Sequence, residues 1–174
     1  RVYRILKNYT PEVEVYSIDE CFLHFNNFST QPLDECGKQI RREILQKTLL
    51  PTCVGIASTK ALAKAANHIA KKFPQLEGVY LIDTDEKRLK ALQWLNIEDV
   101  WGIGRQHAKR LFQLGVDTAY DFTQLNDQWV QKHLSIVGLR LKRDLSGMPT
   151  LDLEEIENKK NIASTRSFDV NYTK

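Results

Sequence analysis

Residues 13–25 set the tightest limit on what this chain can fold into. Val13-Glu14-Val15-Tyr16-Ser17-Ile18 alternates in polarity, and a second apolar run, Cys21-Phe22-Leu23-His24-Phe25, follows after two acids. Period-two patterning with β-branched and aromatic residues predicts strands. With so little between them, the two runs predict a tight hairpin carrying Asp19 and Glu20 at its tip. Neighbours within a regular strand point to opposite faces, so these two carboxylates serve one site only if the backbone turns between them. A hairpin tip provides that turn. Two carboxylates held so close repel unless a cation sits between them, and Mg²⁺ is suited to one or two carboxylates plus substrate phosphates. On these two residues alone a plain polar turn is the commoner outcome, so the weight falls on what accompanies them.

The chain has 174 residues, 42% hydrophobic and 27% charged, which is enough for a sizeable core in one or two domains. A net charge of +3 permits a polyanionic partner without requiring one, so the placement of charge matters more than its sum. Cys21, Cys36 and Cys53 lie in or beside apolar runs without CxxC spacing, the pattern of reduced thiols in a cytoplasmic protein. No apolar run approaches the ~18 residues of a membrane span. His24, His68, His107 and His133 have no ligand-spaced partners and are assigned no chemistry.

Taken in order, Arg1–Tyr9 has helical spacing, the hairpin follows, and residues 26–32 read as polar loop. A helix is expected over Leu33–Leu49, a buried strand over 53–57, a helix over Lys60–Lys72 capped by Ser58 or Thr59, and a strand over 79–82. This order implies an α+β layer with helices on one face of a sheet. Lys60, Lys64, Asn67 and Lys71 fall at i, i+4, i+7 and i+11, one polar stripe on a helix whose other faces are alanine, leucine and isoleucine. A solvated face explains such a stripe most simply. If the alanines bring this helix close to the sheet, the same lysines reach a phosphate chain held at the hairpin carboxylates.

From about Leu92 the character changes. Trp94–Val100 reads as a short helix, Trp101-Gly102-Ile103-Gly104 as a turn, and Arg105–Leu114 as a second helix ended by Gly115. This is the pattern of a helix-hairpin-helix. Its glycines admit a phosphate to the backbone, and the second helix offers free N–H groups at its start. Arg105, Lys109 and Arg110 add cations, and no acid occurs between Trp101 and Val116. Contacts of this kind bind nucleic-acid backbone without reading sequence. Further helices are expected over Thr118–Leu125, capped by Asp117 or Thr118, and over Gln128–Leu145, the latter as one or two. Arg140, Lys142 and Arg143 read as a solvated face, and residues 150–161 as a linker.

Four stretches together resemble the Y-family translesion DNA polymerases of the UmuC type. They are Tyr16-Ser17-Ile18-Asp19-Glu20, the run from Gly55 to His68, Asp99-Val100-Trp101-Gly102-Ile103-Gly104, and Ser164-Thr165-Arg166-Ser167-Phe168. The resemblance implies a partial palm domain over 1–92, a small all-α thumb over 93–150, and a linker with the start of a little-finger domain over 151–174. It implies error-prone synthesis across damaged DNA by two-metal nucleotidyl transfer, as in SOS-type repair. Asp19 and Glu20 match metal-binding, catalytic carboxylates, and two Mg²⁺ ions are implied. Lys71 matches a triphosphate-binding lysine, with Lys72 one residue away. Gly102, Ile103 and Gly104, with Arg105, Lys109 and Arg110, match the DNA-gripping thumb.

The family's first metal aspartate, its fingers and most of its little finger have no counterpart in these residues, so a piece of a longer protein, inactive by itself, is expected. Implied partners are primer-template DNA, deoxynucleoside triphosphates, an accessory subunit of the UmuD type, a recombinase filament and a sliding clamp. A non-catalytic helix-hairpin-helix DNA-binding module is the alternative, in which Asp19-Glu20 is only a turn. A palm-like nucleotidyl cyclase would share the hairpin but has no use for the thumb.

Overall fold

A computed structural model describes residues 1–25 and 32–150. Residues 26–31 of the loop expected at 26–32, and the linker and start of a little-finger domain expected over 151–174, lie outside the described residues. In chain order the elements are α1 (Val2–Leu6), β1 (Val13–Val15), β2 (Cys21–Leu23), α2 (Leu33–Thr48), β3 (Val54–Ile56), α3 (Lys60–Lys72), β4 (Val79–Leu81), α4 (Asp85–Trp94), α5 (Arg105–Phe112), α6 (Ala119–Gln124) and α7 (Asp127–Leu145), with 3-10 turns at Pro74–Leu76 and Ile97–Asp99.

The hairpin forms, but its strands are shorter than the alternation predicts: β1 stops at Val15, β2 spans Cys21–Leu23, and residues 16–20 make the connection. β1 and β2 are antiparallel, with Val13 opposite Leu23, Glu14 opposite Phe22 and Val15 opposite Cys21. The Tyr16 and Ser17 N–H groups both donate to the Glu20 carbonyl, at 3.0 and 3.1 Å, which closes the tip. Register then decides the faces. Val13, Cys21 and Leu23 pack with Ile5, Leu6, Cys36, Ile40 and Ile44 of α1 and α2. Glu14 and Phe22, with Tyr16 and Glu20 two residues further on, take the opposite face.

β3 and β4 pair in parallel, Val54 with Val79 and Ile56 with Leu81, joined through α3. Among the described residues this pair is not hydrogen-bonded to the hairpin, so there are two two-stranded sheets instead of one layer. The α+β class holds, but the helices do not share one face of the β3–β4 pair. A methyl group on Gly37 of α2 would meet Val54, Ile56 and Val79, whereas one on Gly55 would meet α3. The two helices therefore lie on opposite faces, because Gly55 points away from its neighbours Val54 and Ile56. Gly55 is what lets α3 come so close.

α3 carries its apolar side in two directions. Ala66 and Ile69 pack with Ile82 and Ala91, while Ala61, Leu62 and Ala65 join the large cluster of α5, α6 and α7 centred on Phe122 and Val130. Thr59 caps the helix by accepting from the Leu62 N–H at 3.3 Å.

The expected helix over Trp94–Val100 is a correction. α4 ends at Trp94, Leu95-Asn96 is extended, and the 3-10 turn of Ile97–Asp99 follows. Asn96 forms an antiparallel bridge with Thr118, the Ile97 N–H donates to the Asp117 carbonyl, and the Ala119 N–H donates to the Leu95 carbonyl. Leu95 and Ile97 are buried on either side of exposed Asn96, a period of two within a stretch too short to show it. The Gly-x-Gly turn is thus preceded by one 3-10 turn, with no α-helical first arm over 94–100. α1 stops at Leu6, short of the expected Tyr9. α6 starts with a capping box between Thr118 and Asp121. α7 breaks at Ser135, whose φ of 65° is left-handed.

None of the three cysteines is in a disulfide. Among the described residues no helix is long and apolar enough to cross a membrane. The seat of α3 supplies the first test. A methyl on Gly55 would lie within 2.7 Å of Asn67 N, Ala63 O and Asn67 Cα, all backbone atoms that cannot rotate away. Gly55→Ala is expected to destabilise the chain by about 3 kcal/mol, the upper end of overpacking costs, read from urea unfolding of the two proteins.

Candidate active site

α3 presents its lysine stripe to the hairpin face that carries Glu14, Tyr16, Glu20 and Phe22. Lys60 donates to Glu14 at 2.6 Å and lies 5.3 Å from the Phe22 ring centroid. One turn on, Lys64 donates to Glu20 Oε1 and lies 5.8 Å from the Tyr16 ring. The i, i+4 spacing of the helix thus meets the i, i+2 and cross-strand spacing of the hairpin twice. Each lysine is matched to one carboxylate and one aromatic ring.

The tip beyond these pairs is open. Asp19 is exposed and accepts from the Ser17 hydroxyl at 2.8 Å. Glu20 is half-buried, turned towards α3. The two carboxylates share the tip, so the turn required of adjacent ligands is present. Their oxygens are hard donors of the kind suited to Mg²⁺, and Glu20 is already paired with the Lys64 ammonium. Among the described residues, however, no group of three His, Cys, Asp or Glu side chains could hold a metal ion. The pair alone could supply only part of a coordination set.

Further along α3, Lys64, Asn67, His68 and Lys71 line a groove closed on its far side by Asp99 and Trp101. Lys71 lies in this groove and Lys72 does not. Lys71 has no ion-pair partner among the described residues, so its charge is available. His68 stands 3.9 Å from Asp99 and packs against Trp94.

Trp101 links the Gly-x-Gly turn to the hairpin. Its indole N–H donates to the Tyr16 hydroxyl at 2.9 Å, and its ring meets those of Tyr16 and Phe22 at 5.5 and 5.8 Å between centroids. Gly102 adopts φ +90°, open to glycine, and Ile103 is buried beneath the turn. Gly104 precedes α5 with nothing within 4 Å of where a Cβ would stand, so backbone here is accessible. Arg105, Lys109 and Arg110 are exposed on α5. Arg110 lies 2.9 Å from His133 Nδ1. Burial, followed by the Arg110 and Lys132 charges, holds the His133 imidazole below its ordinary range, which fits an unprotonated Nδ1 facing a guanidinium.

Several of these residues carry no label in the sequence. Tyr16 and Trp101 look like core aromatics, and Glu14 like an outward strand residue. Asp144 is hidden better still. It is fully buried; its Oδ1 accepts from the Thr150 N–H at 2.8 Å and hydroxyl at 3.1 Å, and its carbonyl accepts from the Thr59 hydroxyl at 2.9 Å. Its Oδ2 faces the Ala61 N–H at 3.5 Å, at the start of α3. An acid on the apolar side of α7, between Leu141 and Leu145, was the available signal.

The comparisons with known proteins bear on this arrangement. Residues 1–68 match the IMS family, impB/mucB/samB. The likeness extends past them: the chain is 40% identical to the protein UmuC of Salmonella typhimurium, over 97% of this chain and 40% of that protein. It is 37% identical to the protein ImpB of Salmonella typhimurium, over 97% of this chain and 41% of that protein. It is 30% identical to DNA polymerase IV 1 of Bacillus subtilis, over 97% and 40%. Among solved structures it is similar to DinB from Sulfolobus solfataricus, with TM-score 0.67 and 28% identity over 88% of this chain and 46% of that one. A Y-family DNA polymerase chimera of Dbh and Dpo4 gives TM-score 0.72 and 27% identity over 91% and 46%. The chain spans about two fifths of the length of the curated relatives it matches. The impB/mucB/samB segment contains the hairpin and most of α3, while the thumb-like turn of Gly102–Gly104 lies beyond it.

Asp144 ties the start of α3 to the end of α7, so its loss loosens the lysine stripe from below. Asp144→Ala is expected to cost about 2 kcal/mol or more, since it leaves buried donors without a charged acceptor. Asp144→Asn should cost less, and paired urea titrations would rank the two.

Proposed function

We propose that this chain is the palm-and-thumb part of a translesion DNA polymerase, with residues 1–92 as palm and 93–150 as thumb. In the whole protein it would work by template-directed nucleotidyl transfer across damaged DNA. The observation that carries the reading is the meeting of two carboxylates and a lysine stripe, with Lys64 on Glu20 and Lys71 in the adjoining groove. A carboxylate pair beside the Lys71 ammonium, which has no ion-pair partner among the described residues, suits a metal-bound triphosphate.

Asp19 and Glu20 would hold divalent ions, Mg²⁺ by the hardness of their oxygens. When bound, such ions activate a primer 3′-hydroxyl and stabilise the departing pyrophosphate. Lys71 would place a positive charge against the triphosphate. The Tyr16–Trp101 link would hold the thumb turn at a fixed distance from the tip, so that DNA backbone gripped at Gly102–Gly104 and Arg105, Lys109 and Arg110 delivers its end to the carboxylates. Primer-template DNA and deoxynucleoside triphosphates are the substrates on this reading. A UmuD-type subunit, a recombinase filament and a sliding clamp are partners implied by the resemblance to UmuC-type polymerases. A further metal ligand has to come from outside the described residues, because two carboxylates are too few for two ions.

Two assays test this. This chain alone is expected to give no primer extension above the Glu20→Ala background, and any extension above it would overturn the account of an incomplete ligand set. Weak DNA binding is expected, falling steeply with salt as neutralised phosphates release counterions. The triple variant Arg105→Ala, Lys109→Ala, Arg110→Ala should abolish it in a fluorescence-anisotropy titration, and binding that survives would place the DNA elsewhere.

A further inference from the structure

Lys60 and Lys64 make the same kind of contact, yet they stand in different places. The Lys60–Glu14 pair is deep, with side chains 11% and 7% exposed. It joins the hairpin to the buried start of α3. The Lys64–Glu20 pair is shallower, 21% and 29% exposed, and its carboxylate is at the tip beside Asp19. Lys64 also lines the groove that holds Lys71. Lys64 thus holds its charge at the open end of the hairpin, where Lys60 holds its own in the interior.

We propose that Lys64 is a positioning residue that stands in for the divalent cation. Its ammonium holds Glu20 in the metal-free protein and is exchanged for the metal when it binds. The inference rests on the reading of Asp19 and Glu20 as metal ligands. An ammonium at hydrogen-bond distance from Glu20 and a divalent ion on the same carboxylate are two cations a few ångströms apart, and they repel. The ion prevails because it carries twice the charge and draws on Asp19 as well. The displaced ammonium remains on α3, one helical turn from Asn67 and His68 and two from Lys71, released from Glu20 within the groove that it already lines. Metal binding therefore frees a second ammonium where a polyphosphate would lie. Metal and polyphosphate would strengthen each other's binding by the same factor.

The test is a Mn²⁺ titration, followed by electron paramagnetic resonance of the free ion, on the unmodified chain and on Lys64→Met, Glu20→Gln and the double variant. Methionine keeps the apolar stem against Tyr16 and removes only the charge. Lys64→Met is expected to bind Mn²⁺ about fivefold more tightly, the size of a partly screened ion pair. With Mn²⁺ bound, it should hold inorganic triphosphate less tightly than the unmodified chain. Glu20-dependent Mn²⁺ binding that Lys64→Met leaves unchanged or weakens would overturn the exchange while leaving the metal site standing. If no variant shows Glu20-dependent binding, the metal reading fails and the exchange with it. Should Lys64→Met unfold, the unmodified chain still decides: a lysine ammonium ¹⁵N signal that depends on Glu20 must be lost as Mg²⁺ is added, and its persistence refutes the exchange.

Discussion

The close approach of α3 to β3 at Gly55 is the constraint on which the other contacts depend. A helix usually stands off a sheet by the depth of its side chains. Here one strand position has none, and the backbone of Ala63 and Asn67 comes down onto it. That fixes the height of α3, and helical spacing does the rest. Lys60 and Lys64 meet the hairpin, Lys71 lies along the groove, and Ala61, Leu62 and Ala65 turn into the core of the second half. A bulkier residue at 55 would lift all three sets of contacts together.

The charges along α3 follow one logic. Lysine near the start of a helix lies at the positive end of its dipole, where a cation is disfavoured. Glu14 neutralises Lys60 from the hairpin side, while the Asp144 carboxylate approaches the helix start from α7. The acids that make the lysines tolerable come from both halves of the chain. The helix is therefore held electrostatically between the two halves as well as by packing.

Much of this was legible because the hairpin and α3 each show one clean period. The alternation of residues 13–25 gave the strands, the turn and the position of both carboxylates, and α3 runs over the residues its stripe predicts. Leu95-Asn96 was misread because so short a stretch looks like part of a helix, and the partner that holds it extended, residues 117–119, is supplied by tertiary structure. The two faces of the β3–β4 pair were hidden for a related reason: short apolar strands carry no mark of which side each neighbour covers. Asp144 was hidden among Arg140, Lys142 and Arg143, where an acid looks like surface. Its burial depends on Thr59 and Thr150 arriving from elsewhere. Local pattern revealed what single elements decide, and missed what two distant ones decide together.

The bonds that assemble the site share one property. Thr59–Asp144 and Tyr16–Trp101 each join residues 85 apart, and Lys64–Glu20 joins residues 44 apart. Helices such as α2 and α7, and the hairpin itself, close over short spans and need little of the rest of the chain. Contacts of long separation form only after most of the loop entropy has been lost, which slows folding. The pieces of the candidate site are consequently early products of folding, while their juxtaposition is a late one. The chain can hold most of its secondary structure before the parts of the candidate site meet.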